Sequence, residues 1–193
     1  MIFRSNNFLE SPIYRSVAEY SGDTIFTPSS RRPKRVPPLV DNIWEYFRPP
    51  AMPSRRSSAF GSPSAELAHK SGPPGGLVCR VSIAEPYILA QIVGYPDASK
   101  HPDMEIIPSF VLDSRLPEHH IHLLASELLT SEVIVTLLEN SPAVIAGLKD
   151  RVKLWESCRR VILDGPTFCD PVGEFFFEAP LGYRLQPTLF NEQ

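Results

Sequence analysis

Several things are scarce in this 193-residue sequence, and each absence excludes a class. No apolar run reaches about 18 residues, so no segment reads as a membrane-spanning helix. Met1-Ile2-Phe3-Arg4 carries no signal-peptide pattern, and the expectation is a soluble, unsecreted, cytoplasmic chain with no membrane partner. Cysteine is limited to Cys79, Cys158 and Cys169, which are odd in number, far apart and without a Cys-x-x-Cys pair. Free thiols in a reducing compartment follow, rather than a disulfide framework or a structural zinc site. An excess of either charge is missing too. A net charge of −3 supplies no global field for nucleic acid or an anionic membrane. No internal repeat is present.

What the chain does have is a 42% hydrophobic content, enough for a sizeable core, and 21 prolines. That is about twice the average proline usage of roughly 5%. The prolines are spread between apolar segments, so they punctuate a fold of short elements. The length suits a single domain over 1–193, carrying a mainly helical insertion at about 114–163.

In chain order, residues 1–11 read as a polar arm. Ile13-Tyr14-Arg15-Ser16-Val17 is β-prone, with Arg15 at its centre either exposed or aimed at an anion. Residues 27–38 form a basic, proline-rich loop. Asp41 is expected to cap a helix carrying Ile43, Trp44 and Phe47 that ends at Arg48-Pro49-Pro50. The organising stretch is 54–68. Its basic, hydroxyl-rich edge leads into Ala59-Phe60, the chain breaks at Gly61-Ser62-Pro63, and Ser64 caps a helix with Glu66 in its first turn. Strands are expected at 77–83 and 104–112, and an apolar run of open type covers 87–93. Helices are expected over 131–140 and from Pro142 to about Val161, the latter broken by Asp164-Gly165-Pro166. Gly173-Glu174-Phe175-Phe176-Phe177-Glu178 is a strong strand, followed by a turn and Tyr183-Arg184-Leu185. Strands at both ends with helices between them make a mixed α+β architecture.

Three of these windows resemble the ADP-ribosyltransferase superfamily. Tyr14-Arg15-Ser16 resembles that family's early strand, whose Arg or His helps to hold NAD. Ser58-Ala59-Phe60-Gly61-Ser62 and the following helix resemble its second strand. Glu174-Phe175-Phe176-Phe177 with Tyr183-Arg184-Leu185 resembles its late, glutamate-bearing strand, most closely in the poly(ADP-ribose)-polymerase-like and diphtheria-toxin-like branch. The order and spacing agree, with 45 residues from Arg15 to Phe60 and 114 from Phe60 to Glu174. Phe60 stands where that branch usually has Tyr, and Arg15 where it has His.

The resemblance implies compact mixed and antiparallel sheets of the ADP-ribosyltransferase type. It also implies NAD as substrate and transfer of ADP-ribose to a macromolecular acceptor, protein in the first instance and nucleic acid in the second. Such a transferase suits a toxin, an effector acting in a host cell or a phage-encoded modifier. In this reading Glu174 is catalytic, because a carboxylate stabilises the oxocarbenium-like state formed as nicotinamide leaves. Arg15 makes charged hydrogen bonds to the cofactor, Phe60 stacks on nicotinamide, Ser58 or Ser62 bonds ribose or steadies the glutamate, and Gly61 admits the cofactor to the main chain. A rival is Asp103-Met104-Glu105, which resembles the Glu-x-Glu strand of the arginine-modifying branch. It lies 43 residues after Ser62 and would make Glu105 catalytic.

Two readings from outside the transferase class are also open. One is a non-catalytic interaction protein that binds through the Arg31–Arg35 loop and the Trp44 helix. The other is an NAD glycohydrolase. Glu118-His119-His120-Ile121-His122 could offer imidazoles to zinc, but no matching distant ligand pair accompanies it, and no metal is expected.

Overall fold

The computed structural model describes residues 3–5, 12–30, 35–163 and 169–188. The basic loop at 31–34 and the break at 164–166 lie outside the described residues, as does most of the 1–11 arm. Within that arm, however, Phe3–Ser5 is a strand, β1, rather than free polar chain.

The chain divides into two compact units. The first comprises 1–30, 51–97 and 158–193, and contains all the strands among the described residues. These are β1, β2 (Tyr14–Val17), β3 (Ala59–Gly61), β4 (Leu77–Ala84), β5 (Ile88–Ile92), β6 (Cys158–Val161), β7 (Phe175–Glu178) and β8 (Tyr183–Pro187). They form two antiparallel sheets. In one, β4 carries β1 and β2 on one edge and β8 on the other. The other runs β3-β7-β5-β6.

Strand burial follows position in the sheets. β7 lies between β3 and β5, and its Phe175, Phe176 and Phe177 are all buried, so its run of aromatics does not alternate. β6 is an edge, and keeps Arg159 and Arg160 exposed. The two sheets share one core, in which Ile13, Cys79, Val81 and Leu185 meet Ala59, Leu89, Phe175 and Phe177. Helix α2 (Ala65–Ser71) packs on β2 and β4 and starts as its sequence requires, with Ser64 Oγ accepting from the Leu67 N–H.

The second unit, 31–50 with 98–157, is helical. Helices α3 (Asp103–Leu112), α4 (Glu118–Ser126) and α5 (Ser131–Leu138) pack against α1 (Pro38–Tyr46), and α6 (Pro142–Arg151) packs on α3 and α5. Every residue of α1 from Pro38 to Trp44 is buried. Proline fits the first helical position, so α1 starts at Pro38. Asp41 therefore lies inside the first turn instead of capping it. Asn42 ties α1 to the end of α4. Its Nδ2 donates to the Leu124 and Glu127 carbonyls, and its Oδ1 accepts from the Leu129 N–H.

Two expectations are corrected in this unit. Residues 104–112 are helix, not strand. Their fully buried members, Ile107 and Val111, stand four apart on one face, and that helical period outweighs the β-prone composition. The last helix ends at Arg151 rather than near Val161. The Lys153 and Leu154 N–H groups donate to the Asp103 carboxylate, Lys153 sharing both oxygens at 3.1 Å, and this capture turns the chain away from helix. The helical unit thus starts at 98 and recruits 31–50, while 158–161, inside the expected helical insertion, is strand β6. The fold is mixed α+β with two antiparallel sheets and six helices among the described residues.

Candidate functional site

Three segments far apart in sequence meet in the first unit. β3 pairs with β7 so that Phe60 faces Phe176 and Gly61 faces Phe175, the residue after Glu174. On the other side Ser62 pairs with Tyr14. Each donates its N–H to the other's carbonyl, at 2.7 and 2.8 Å. That bridge brings Arg15 alongside β3, and its Nη1 donates to the Phe60 carbonyl at 3.3 Å. Arg15 also lies 5.7 Å from the Tyr183 ring centroid, and Tyr183 in turn meets Phe177 edge-on at 5.3 Å. Arg15, Phe60, Gly61 and Ser62 therefore adjoin one another, and β3 pairs with the strand that Glu174 leads into, while the Arg15 guanidinium turns toward Tyr183.

Cross-strand pairing and alternation set Phe60 on the same sheet face as Phe176 and Glu178. Arg55 lies over this face. Both its Nη atoms donate to Glu174 Oε2 at 3.1 Å. Its guanidinium carbon is 4.8 Å from the Phe60 ring centroid and 5.2 Å from that of Phe176. Arg55 is 4% exposed, and the Glu174 side chain keeps 15% of its surface in solvent. Phe60 is half-buried.

The backbone around Glu174 is fixed from several sides. Its N–H donates to the Tyr95 carbonyl at 2.8 Å, and its carbonyl accepts from Ile92 N at 2.9 Å. Gln91, buried, donates to the carbonyls of Asp170 and Gly173, and its Oε1 accepts from Asp170 N. Asp170 Oδ1 accepts from Val172 N and Gly173 N. A methyl group at Gly173 would collide with the Ile92 carbonyl, which is main chain and cannot turn aside.

The expected small and polar residues have specific local tasks. Ser58 is buried, and its Oγ donates to the Ser54 carbonyl at 2.6 Å, closing the turn that holds Arg55. Gly61 does allow a close approach, but by β2: a Cβ there would lie 2.5 Å from Ile13 Cγ2 and 3.0 Å from the Tyr14 carbonyl.

Glu105 stands in the second unit, exposed in the first turn of α3. Its segment is helical, so no strand sets it beside Asp103 in a Glu-x-Glu pattern. Asp103 is fully buried and structural. It accepts from Trp44 Nε1 at 2.8 Å and from Leu154 N at 3.0 Å. Burial pushes its carboxyl up, but hydrogen bonds from His101, Trp44 and Leu154 outweigh that, and the net shift is downward. Trp44 is 1% exposed and locked to this carboxylate, so its stripe is core packing.

A Ser-His-Asp alignment also occurs here. His101 Nε2 lies 3.2 Å from Ser157 Oγ, and Nδ1 lies 3.3 Å from Asp103 Oδ1. The Asp103 N–H, however, donates to the same Nδ1 at 3.2 Å. Nδ1 therefore meets both the carboxylate and the main chain of Asp103, and the ring belongs to the buried network around that residue. Elsewhere in this unit, His119, His120 and His122 lie along α4. Among the described residues no group of three His, Cys, Asp or Glu side chains is arranged to hold a metal.

Sequence reasoning passed over Arg55 and Glu178. The Ser-Arg-Arg-Ser edge was visible, but the partner of Arg55 lies 119 residues away, and only strand pairing reveals it.

No protein-family model matches this chain, and no curated protein and no solved structure matches it.

Proposed function

We propose that the chain is an NAD-dependent mono-ADP-ribosyltransferase that passes ADP-ribose to a macromolecular acceptor, with Glu174 as the working carboxylate. One observation carries this reading. Arg15 meets the Phe60 carbonyl, and Phe60 and Gly61 pair with the strand that Glu174 leads into, so the residues whose order along the chain resembles that family come from three strands or strand ends of one unit. A strand-end carboxylate with part of its surface in solvent can lie against a ribose. There it stabilises positive charge as the nicotinamide bond breaks, and it can take a proton from the acceptor. Arg15 supplies a planar cation for the anionic part of the cofactor. The half-exposed Phe60 ring offers an apolar edge to nicotinamide.

Transfer and hydrolysis differ in where the sugar goes. Incubation with NAD labelled in its adenylate moiety, in cell lysate, is expected to move label onto protein. Label recovered only as free ADP-ribose would replace the transferase with a glycohydrolase, and no consumption of NAD would remove both.

A further inference from the structure

We propose that Arg55 is the positioning residue for the Glu174 carboxylate, an assignment that rests on Glu174 being the group that acts on NAD. Arg55 sits on a tight turn, 54–58, which is fastened at both ends. Ser54 N and Ser57 Oγ donate to Glu178 Oε1, and Ser58 Oγ donates to the Ser54 carbonyl. Glu178 and Glu174 mark the two ends of the same face of β7. One carboxylate therefore latches the turn, while the other receives the arginine that the turn carries.

The guanidinium is held between the carboxylate and the rings of Phe60 and Phe176, and is almost wholly buried. That burial makes it a component of the protein's interior rather than a cation offered to a cofactor phosphate. Both Nη atoms donate to Oε2, which pins that oxygen. A lysine would keep the charge but lose the fork and the flat surface that stacks on the rings.

The test is steady-state nicotinamide release by wild type, Arg55→Lys and Ser57→Ala, with folding followed by circular dichroism. Arg55→Lys is expected to lower kcat by up to about 10²-fold, the cost of a misplaced reacting group. KM for NAD should stay nearly unchanged. Ser57→Ala, which leaves Arg55 in place and loosens its turn, should lower kcat less and in the same pattern, so the role is readable even where Arg55→Lys misfolds. Added guanidinium ion should restore part of the rate to Arg55→Ala. An unimpaired kcat in the folded Arg55→Lys and Ser57→Ala variants, or a rise in KM alone, overturns the positioning role while leaving Glu174 as catalyst. A wild-type protein that releases no nicotinamide overturns the transferase reading, and the positioning role with it.

Discussion

Asp103 is the residue on which the helical unit turns. Its carboxylate gathers the Trp44 indole and the Lys153 and Leu154 N–H groups, joining α1, α3 and the end of α6. Asparagine at this position would aim an amide donor at groups that are themselves donors. Each buried donor left unsatisfied costs about 1–3 kcal/mol. Asp103→Asn is expected to destabilise the unit by about 3 kcal/mol in urea unfolding followed by tryptophan fluorescence, to which both tryptophans of this unit contribute. The pH dependence has a defined sign. The folded-state carboxyl lies below its ordinary value of 3.8, so its contribution is complete above that pH and is lost as pH falls further. The stability gap between wild type and variant should therefore narrow below about that value. A gap that is constant through the acid range would remove the carboxylate from this role.

Among the elements, β3 is the smallest that matters, at three residues. It is squeezed between β7 and the start of β2, and Gly61 is what lets β2 approach. Gly61→Ala should cost about 1–3 kcal/mol through overpacking against Ile13, and should push the Phe60 carbonyl away from Arg15. Thermal unfolding checks the first effect and NAD turnover the second; an alanine variant with wild-type values in both would contradict this packing. Elements of this kind were partly legible in the sequence. Ser64 capping α2 and the aromatic run of β7 are local signals, and local physics decides them. The 104–112 segment misled because Ile, Val and Phe favour strands by composition, whereas the burial of Ile107 and Val111 is set by α1 and α6. The end of α6 was hidden for a similar reason. It depends on a carboxylate 50 residues upstream of Lys153.

At the scale of the whole molecule, antiparallel pairing does what no short window of sequence could show. It makes neighbours of residues 45 and 119 positions apart, Arg15 with Phe60 and Arg55 with Glu174. The order of the motifs along the chain was visible from the outset. The arginine lying across the glutamate was not, because nothing local to Arg55 marks a partner 119 residues away. Nicotinamide release from NAD by the purified protein, wild type beside Glu174→Gln and Glu105→Gln, bears most directly on the proposed chemistry. Wild type should release nicotinamide, Glu105→Gln should lose little of that rate, and Glu174→Gln should fall by about 10²–10⁴-fold while remaining folded. A folded Glu174→Gln protein that keeps the wild-type rate, or a wild type that releases none, would contradict Glu174 as the carboxylate at the centre of this site.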